Sequence, residues 1–151
     1  MKKLELLSNK YDYCKDIPWE DVIKKIENEF ESSTLKFLTS RNYLTSKDYA
    51  PSFVLHNRYF PGSIQRAYDK VKESEGIDEM HIYTSLGGGS PTFGKHKDDV
   101  DVLIIQSVGR MVYVIENKEY LLNPGDGIVI PCGVYHSPLV IEPRITLSFS
   151  W

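Results

Sequence analysis

The spacing of apolar residues along this chain changes character near residue 79. Before that point the clear signals are helical. Trp19, Val22, Ile23, Ile26 and Phe30 recur at the spacing of one helix stripe, with Lys24, Lys25, Glu27 and Glu29 on the face left to water. Asp16 and Pro18 stand where a cap and a first-turn proline belong. A second helix is predicted from Ser63, carried by Ile64, Ala67, Tyr68 and Val71 and stopped by the charged run ending at Gly76. Between them, residues 35–38 and 52–55 read as short strands, and Tyr59-Phe60-Pro61-Gly62 as a turn. Residues 1–15 show no clear period.

After residue 79 the period is two. Strands are predicted at residues 80–85, 100–105, 110–115, 118–122, 127–130 and 145–149. Gly109, Glu116-Asn117, Asn123-Pro124-Gly125-Asp126 and Pro131-Cys132-Gly133 punctuate them. Short strands joined by tight turns predict a sandwich or barrel, with the helices packed outside. No repeat or linker divides the chain. The expected organisation is one domain over residues 1–151: a helical cover and edge strands in 1–78, and a core barrel in 79–151.

Composition narrows the function. A net charge of −3, with acidic and basic residues interleaved, gives no electrostatic case for nucleic acid. No apolar run approaches the roughly 20 residues that span a bilayer, and the first residues turn polar too soon for a signal peptide. Two distant cysteines, Cys14 and Cys132, fit a reducing compartment, so a cytoplasmic location is expected. Ten tyrosines point to a β-rich core or a polar-lined cavity.

One motif is a false lead. Gly89-Ser90-Pro91-Thr92-Phe93-Gly94-Lys95 spells most of a phosphate-binding loop, but His96 replaces the required Ser or Thr and a strand, not a helix, should follow. The chemistry points instead to His96 and Asp98. Two residues apart on an extended strand, they would share a face. A distant element must supply a further ligand, and His136, beyond the corner at residues 131–135, is the candidate. Two imidazoles and a carboxylate on one side of a cation suit mononuclear iron(II) with open positions opposite. His81 and Tyr83 are weaker cavity candidates. His56, Asn57 and Arg58 are candidates for an entrance. Asp99 and Asp101 read as solvated or supporting groups, and Cys132 as a small packed residue.

Residues 123–136, with Pro124-Gly125-Asp126, Pro131 and His136, resemble the second cupin motif. Residues 96–110, opening with His96-Lys97-Asp98, resemble the metal strand of Jumonji-type, cupin-like hydroxylases. The resemblance covers about the last 70 residues. It implies a mainly β (α+β) double-stranded β-helix, with iron(II) held by His96, Asp98 and His136, and 2-oxoglutarate and dioxygen as co-substrates. One departure stands out. Jumonji-type relatives place a lysine for 2-oxoglutarate on the strand where this chain has Met111 and Tyr113 as the inward candidates. Arg144-Ile145-Thr146 instead resembles the R-x-S/T of other 2-oxoglutarate oxygenases, implying that Arg144 pairs the co-substrate carboxylate, with hydroxyl bonds from Thr146 and Tyr113.

The expectation is therefore an iron(II)/2-oxoglutarate-dependent hydroxylase that couples co-substrate decarboxylation to oxidation of a substrate C–H. Its substrate would be a small molecule or an exposed protein side chain. A homodimer is compatible with the fold. The rival readings are a metal-binding cupin with other chemistry (isomerase, lyase or another dioxygenase) and a non-enzymatic cupin that senses a ligand.

Overall fold

The computed structural model describes residues 2–38, 51–56 and 59–151; Asn57 and Arg58, proposed above for an entrance, fall outside these. In chain order the elements are β1 (Glu5–Leu7), a 3-10 turn (Asp12–Cys14), α1 (Trp19–Glu31), β2 (Lys36–Leu38), β3 (Ser52–Leu55), α2 (Gly62–Glu75), β4 (Glu79–Ser85), β5 (Val102–Val108), β6 (Met111–Ile115), β7 (Lys118–Leu122), β8 (Gly127–Ile130), β9 (His136–Val140) and β10 (Arg144–Ser150). All pairings are antiparallel. Seven strands form one sheet in the order β1-β8-β5-β10-β4-β3-β2, and three form a second in the order β7-β6-β9. After β4 the chain passes back and forth between the two sheets, which is the winding of a double-stranded β-helix.

Strand alternation divides the interior in two. Ile145, Leu147 and Phe149 of β10, Met80 and Ile82 of β4, and Leu103 and Ile105 of β5 pack toward the helices. Val102, Ile104 and Ile128 of the large sheet meet Met111, Tyr113 and Ile115 of the small one. The large sheet is covered on both faces, so β5 and β8 read as near-continuous apolar runs rather than alternating ones.

Turns account for register. Ile115 pairs with Lys118 across a two-residue hairpin, and Glu116 (φ 50°) and Asn117 (φ 64°) are both left-handed, as a type I′ turn demands. Gly109 joins β5 to β6 at φ +72°, and a Cβ there would lie 2.1 Å from the Pro143 carbonyl oxygen. Gly109→Ala therefore combines a disfavoured backbone with a backbone clash. It should cost about 2–4 kcal/mol in denaturant unfolding, and a loss below about 1 kcal/mol would mean that the turn relaxes freely.

Helix α1 departs from expectation in its rotation. Its extent matches the apolar period, yet Ile23 is 54% and Phe30 72% exposed, while Lys25 and Glu29 are 0% and 1% exposed. Val22, Lys25 and Glu29 form the inward stripe. The buried charges are satisfied locally and across the fold. Lys25 Nζ lies 3.3 Å from Glu29 Oε1 and over the Phe60 ring. The Glu29 carboxylate accepts the His56 backbone N–H at 2.8 Å, with His56 Nδ1 at 3.2 Å. The helix start differs too: Pro18 occupies the cap position with no side-chain cap bond, and Asp16 is left-handed at φ 57°. The next helix, α2, ends as expected at Gly76, in a left-handed cap whose N–H bonds the Lys72 carbonyl.

Burial pushes the Glu29 pKa up, but the His56 hydrogen bonds and the Lys25 ammonium outweigh it and the net shift is downward. A carboxyl lowered by folding adds stability above its ordinary value of 4.5, and that stability is lost as pH falls through the lowered native value. Glu29→Gln weakens the charge-assisted bonds to the His56 N–H groups and the pairing with Lys25, so at neutral pH it should cost about 1.5–3 kcal/mol. The gap to wild type should then narrow as pH drops below 4.5. A gap that stays constant down the acid limb would contradict this account.

Candidate metal centre

His96 is joined to β9 by a single rung of antiparallel pairing. Its N–H donates to the His136 carbonyl at 2.9 Å, and the His136 N–H returns a bond to the His96 carbonyl at 2.8 Å. Residues opposed in this way present their side chains on the same face, so the rung sets two imidazoles side by side with ring centroids 4.3 Å apart. The expected metal strand is otherwise absent. Asp98 lies in the loop that follows, tied to the corner before His136 because its carbonyl accepts the Gly133 N–H at 2.9 Å. The three ligand atoms of His96, Asp98 and His136 all lie within 4.8 Å of one another.

The tautomers favour a metal. His96 Nδ1 lies 2.8 Å from the Gly94 carbonyl oxygen, and His136 Nδ1 lies 3.0 Å from that of Val134. A carbonyl only accepts, so each Nδ1 carries a proton, which leaves Nε2 as the nitrogen available to a metal. His136 Nε2 is 3.5 Å from Asp98 Oδ2. Burial lowers the His136 pKa, outweighing the Val134 carbonyl bond that raises it, and the His96 ring lowers it further. The imidazole is thus held in its neutral, ligating form. A donor set of two imidazoles and one carboxylate, gathered on one wall of a cavity, fits iron(II).

That cavity has a volume of about 280 Å³. Arg144 lines it together with Tyr113 and Tyr83, and farther along β10 and β4 its wall carries Ser148 and Ser150, His81 and Glu79. Arg144 is 3% exposed. Its Nε donates to Ser85 Oγ at 3.0 Å and one Nη to Thr146 Oγ1 at 3.2 Å. The Tyr113 and Tyr83 phenols lie against it, and among the described residues no carboxylate ion-pairs with it. Burial pushes the Tyr113 phenol up to about 12, so it stays a neutral hydroxyl beside the guanidinium. Burying an uncompensated charge is expensive. An anion in this part of the cavity would compensate the guanidinium.

The remaining sequence candidates divide plainly. Tyr113, not Met111, faces the cavity, and His81 and Tyr83 line it. Thr146 is fully buried behind Arg144 and is not among the cavity-lining residues, so its hydroxyl reaches a ligand only through the arginine. His56 faces Glu29. Asp99 is exposed, and Asp101 accepts the backbone N–H groups of Lys2 and Cys132. Asp126 of the Pro-Gly-Asp turn accepts those of Asn9 and Asn123, a structural task. No helix follows the Gly89–Lys95 segment, which excludes a phosphate loop. Cys132 is exposed rather than packed. Ser85 and Gln106 were invisible in the sequence, because isolated Ser and Gln in apolar strands carry no pattern.

No family model matches the chain, and no curated protein matches it. Solved structures do. The chain is similar to YcfD, a ribosomal oxygenase from Escherichia coli, at 19% identity and a TM-score of 0.74, covering 99% of this chain and 47% of that one. A YcfD structure in complex with cobalt and 2-oxoglutarate matches at 19% identity and a TM-score of 0.69, covering 99% of this chain and 48% of that one. One with cobalt and succinic acid matches at 21% and 0.51, covering 75% and 34%. At this identity the likeness establishes the double-stranded β-helix fold. The chain spans about half the length of these neighbours.

Proposed function

We propose that this protein is an iron(II)- and 2-oxoglutarate-dependent oxygenase that hydroxylates a substrate C–H. The observation that carries the reading is Arg144: a buried guanidinium, with no carboxylate partner among the described residues, faces the same cavity as the His96–Asp98–His136 cluster. One cavity thus offers a cation site and an anion site together, which a 2-oxo dicarboxylic acid can bridge. The similar fold solved with cobalt and 2-oxoglutarate supports the assignment.

His96, Asp98 and His136 would hold the iron, and Arg144 with Tyr113 would hold the distal carboxylate of 2-oxoglutarate. When bound, iron and co-substrate supply the oxidising chemistry: 2-oxoglutarate and dioxygen become succinate and carbon dioxide, and one oxygen atom enters the substrate C–H. The chain's own part is positional. The Nε2 atoms and the Asp98 carboxylate fix the cation on one wall. The guanidinium neutralises the co-substrate away from water, and Tyr83 packs between anion site and metal ligands, its ring near both Arg144 and Phe93. No side chain needs to act as a general base. The substrate approaches along Glu79, His81, Ser148 and Ser150. The likeness to a ribosomal oxygenase supports an exposed protein side chain as substrate, with a small molecule as the second option; the two distant cysteines are what supports a cytoplasmic location.

The test is anaerobic addition of iron(II) and 2-oxoglutarate, followed for a weak visible charge-transfer band. The band is expected in the wild type and lost in His96→Ala. A wild type that binds iron but gives no band would sink the oxygenase reading and leave a metal-binding barrel with other chemistry.

A further inference from the structure

Behind Arg144 the hydrogen bonds continue into β5, to a residue outside the cavity. Gln106 is fully buried. Its Nε2 lies 2.9 Å from both the Val108 and Gly109 carbonyl oxygens. Carbonyl oxygens only accept, so this end of the amide is the NH₂ and the other end is the oxygen. That oxygen lies 2.8 Å from Thr146 Oγ1. The single hydroxyl proton of Thr146 is therefore committed to Gln106, and its lone pairs are turned toward the Arg144 Nη that donates to them.

The backbone is shaped for this contact. Ile145 pairs with Val108 but Thr146 with Gln106, so one step on β10 spans two on β5 and Ser107 forms a β-bulge. Bulges re-aim side chains beside functional sites. Here the extra residue is anchored from outside: the Ser107 carbonyl accepts the Asp16 N–H, and its hydroxyl accepts that of Ile17. Arg144 is thus gripped at Nε by Ser85 and at one Nη by Thr146, with the Tyr113 hydroxyl also hydrogen-bonded to the guanidinium on the cavity side.

We propose that Gln106 is a positioning residue for the anion site: it sets the polarity of the Thr146 hydroxyl and so fixes the guanidinium plane for the co-substrate carboxylate. The inference rests on the 2-oxoglutarate reading for its ligand, though not for its geometry. An Arg fork holds a carboxylate well only when its plane is fixed beforehand. Without the Gln106 acceptor the hydroxyl can rotate its proton toward the guanidinium, and the grip on that Nη fails.

The test is anaerobic calorimetric titration of 2-oxoglutarate into the iron(II)-loaded protein, with iron affinity and melting temperature measured alongside. Gln106→Met keeps the shape and removes the acceptor. It should weaken 2-oxoglutarate about five- to tenfold, the worth of one lost hydrogen bond, with iron affinity unchanged. Thr146→Val should weaken it similarly, and the double variant should be no worse than either single one, since both cut one relay. Thr146→Ser, which keeps the hydroxyl, should bind as the wild type does. A lower melting temperature with unchanged 2-oxoglutarate affinity in Gln106→Met, or losses that multiply in the double variant, would overturn the proposal. If the wild type binds no 2-oxoglutarate, the functional reading fails on its own. The relay is then read without ligand from the Arg144 Nε–Hε NMR signal: sharp in wild type and broadened in Gln106→Met if the relay holds, identical in both if it does not.

Discussion

Asp98→Ala loses iron(II) binding and 2-oxoglutarate turnover while the fold is kept. Asp98 is the one carboxylate of the metal cluster, and both remaining members are imidazoles. Removing groups that merely support a metal ligand already costs 10–100-fold in affinity, so removing the anionic ligand itself should cost more than about 100-fold. The fold survives because the residue's structural contact is made by its backbone: its carbonyl accepts the Gly133 N–H, which alanine preserves. The check is iron affinity by anaerobic titration, with succinate formation and thermal unfolding in parallel. Retained iron affinity would remove Asp98 from the site.

Arg144→Met gives the second large effect, and it separates binding from stability. Truncating one partner of a buried charge pair costs about 2–5 kcal/mol, so 2-oxoglutarate affinity should fall on the order of 10²- to 10³-fold, with iron binding unchanged. The ligand-free protein should melt no lower than wild type. The substitution deletes a buried charge that no carboxylate pairs among the described residues; of the groups it releases, Ser85 keeps Ser52, Thr146 keeps Gln106, and the Tyr113 hydroxyl opens on the cavity. Saturating 2-oxoglutarate at about 100 times its Kd should stabilise iron-loaded wild type by about 2.7 kcal/mol and leave the variant unmoved. A variant that still binds 2-oxoglutarate as wild type does would place the anchor elsewhere.

What the sequence made legible follows from what periodicity measures. The spans of β7 and β8 match the predicted ones because alternating or continuous apolar runs between tight turns mark their own ends. For α1 the length was legible and the rotation was not: two stripes are available, and the one buried carries Lys25 and Glu29, the latter bonded to His56 just beyond β3. The residues of the metal cluster were legible through their motifs, though their geometry was not. His96 and Asp98 do not lie on one strand; a single rung at His96 and a backbone tie at Asp98 bring them to His136. The spacing of Arg144 and Thr146 singled out both as ligand groups, but the Thr146 hydroxyl is engaged by Arg144 and Gln106, beside a bulge on the neighbouring strand. A bulge leaves no periodic trace.

The lone rung between His96 and His136 has a kinetic consequence. A ladder of several rungs opens only at a cost near that of unfolding, whereas a solitary rung at a sheet edge can open by fraying. The metal cluster is therefore hinged on an isolated backbone pairing beside β9. Amide exchange at His96 would be fast before metal loading and slow after it, while exchange in β5 and β10 stays unchanged. In this arrangement the cation acts as the missing ladder for its own binding strand.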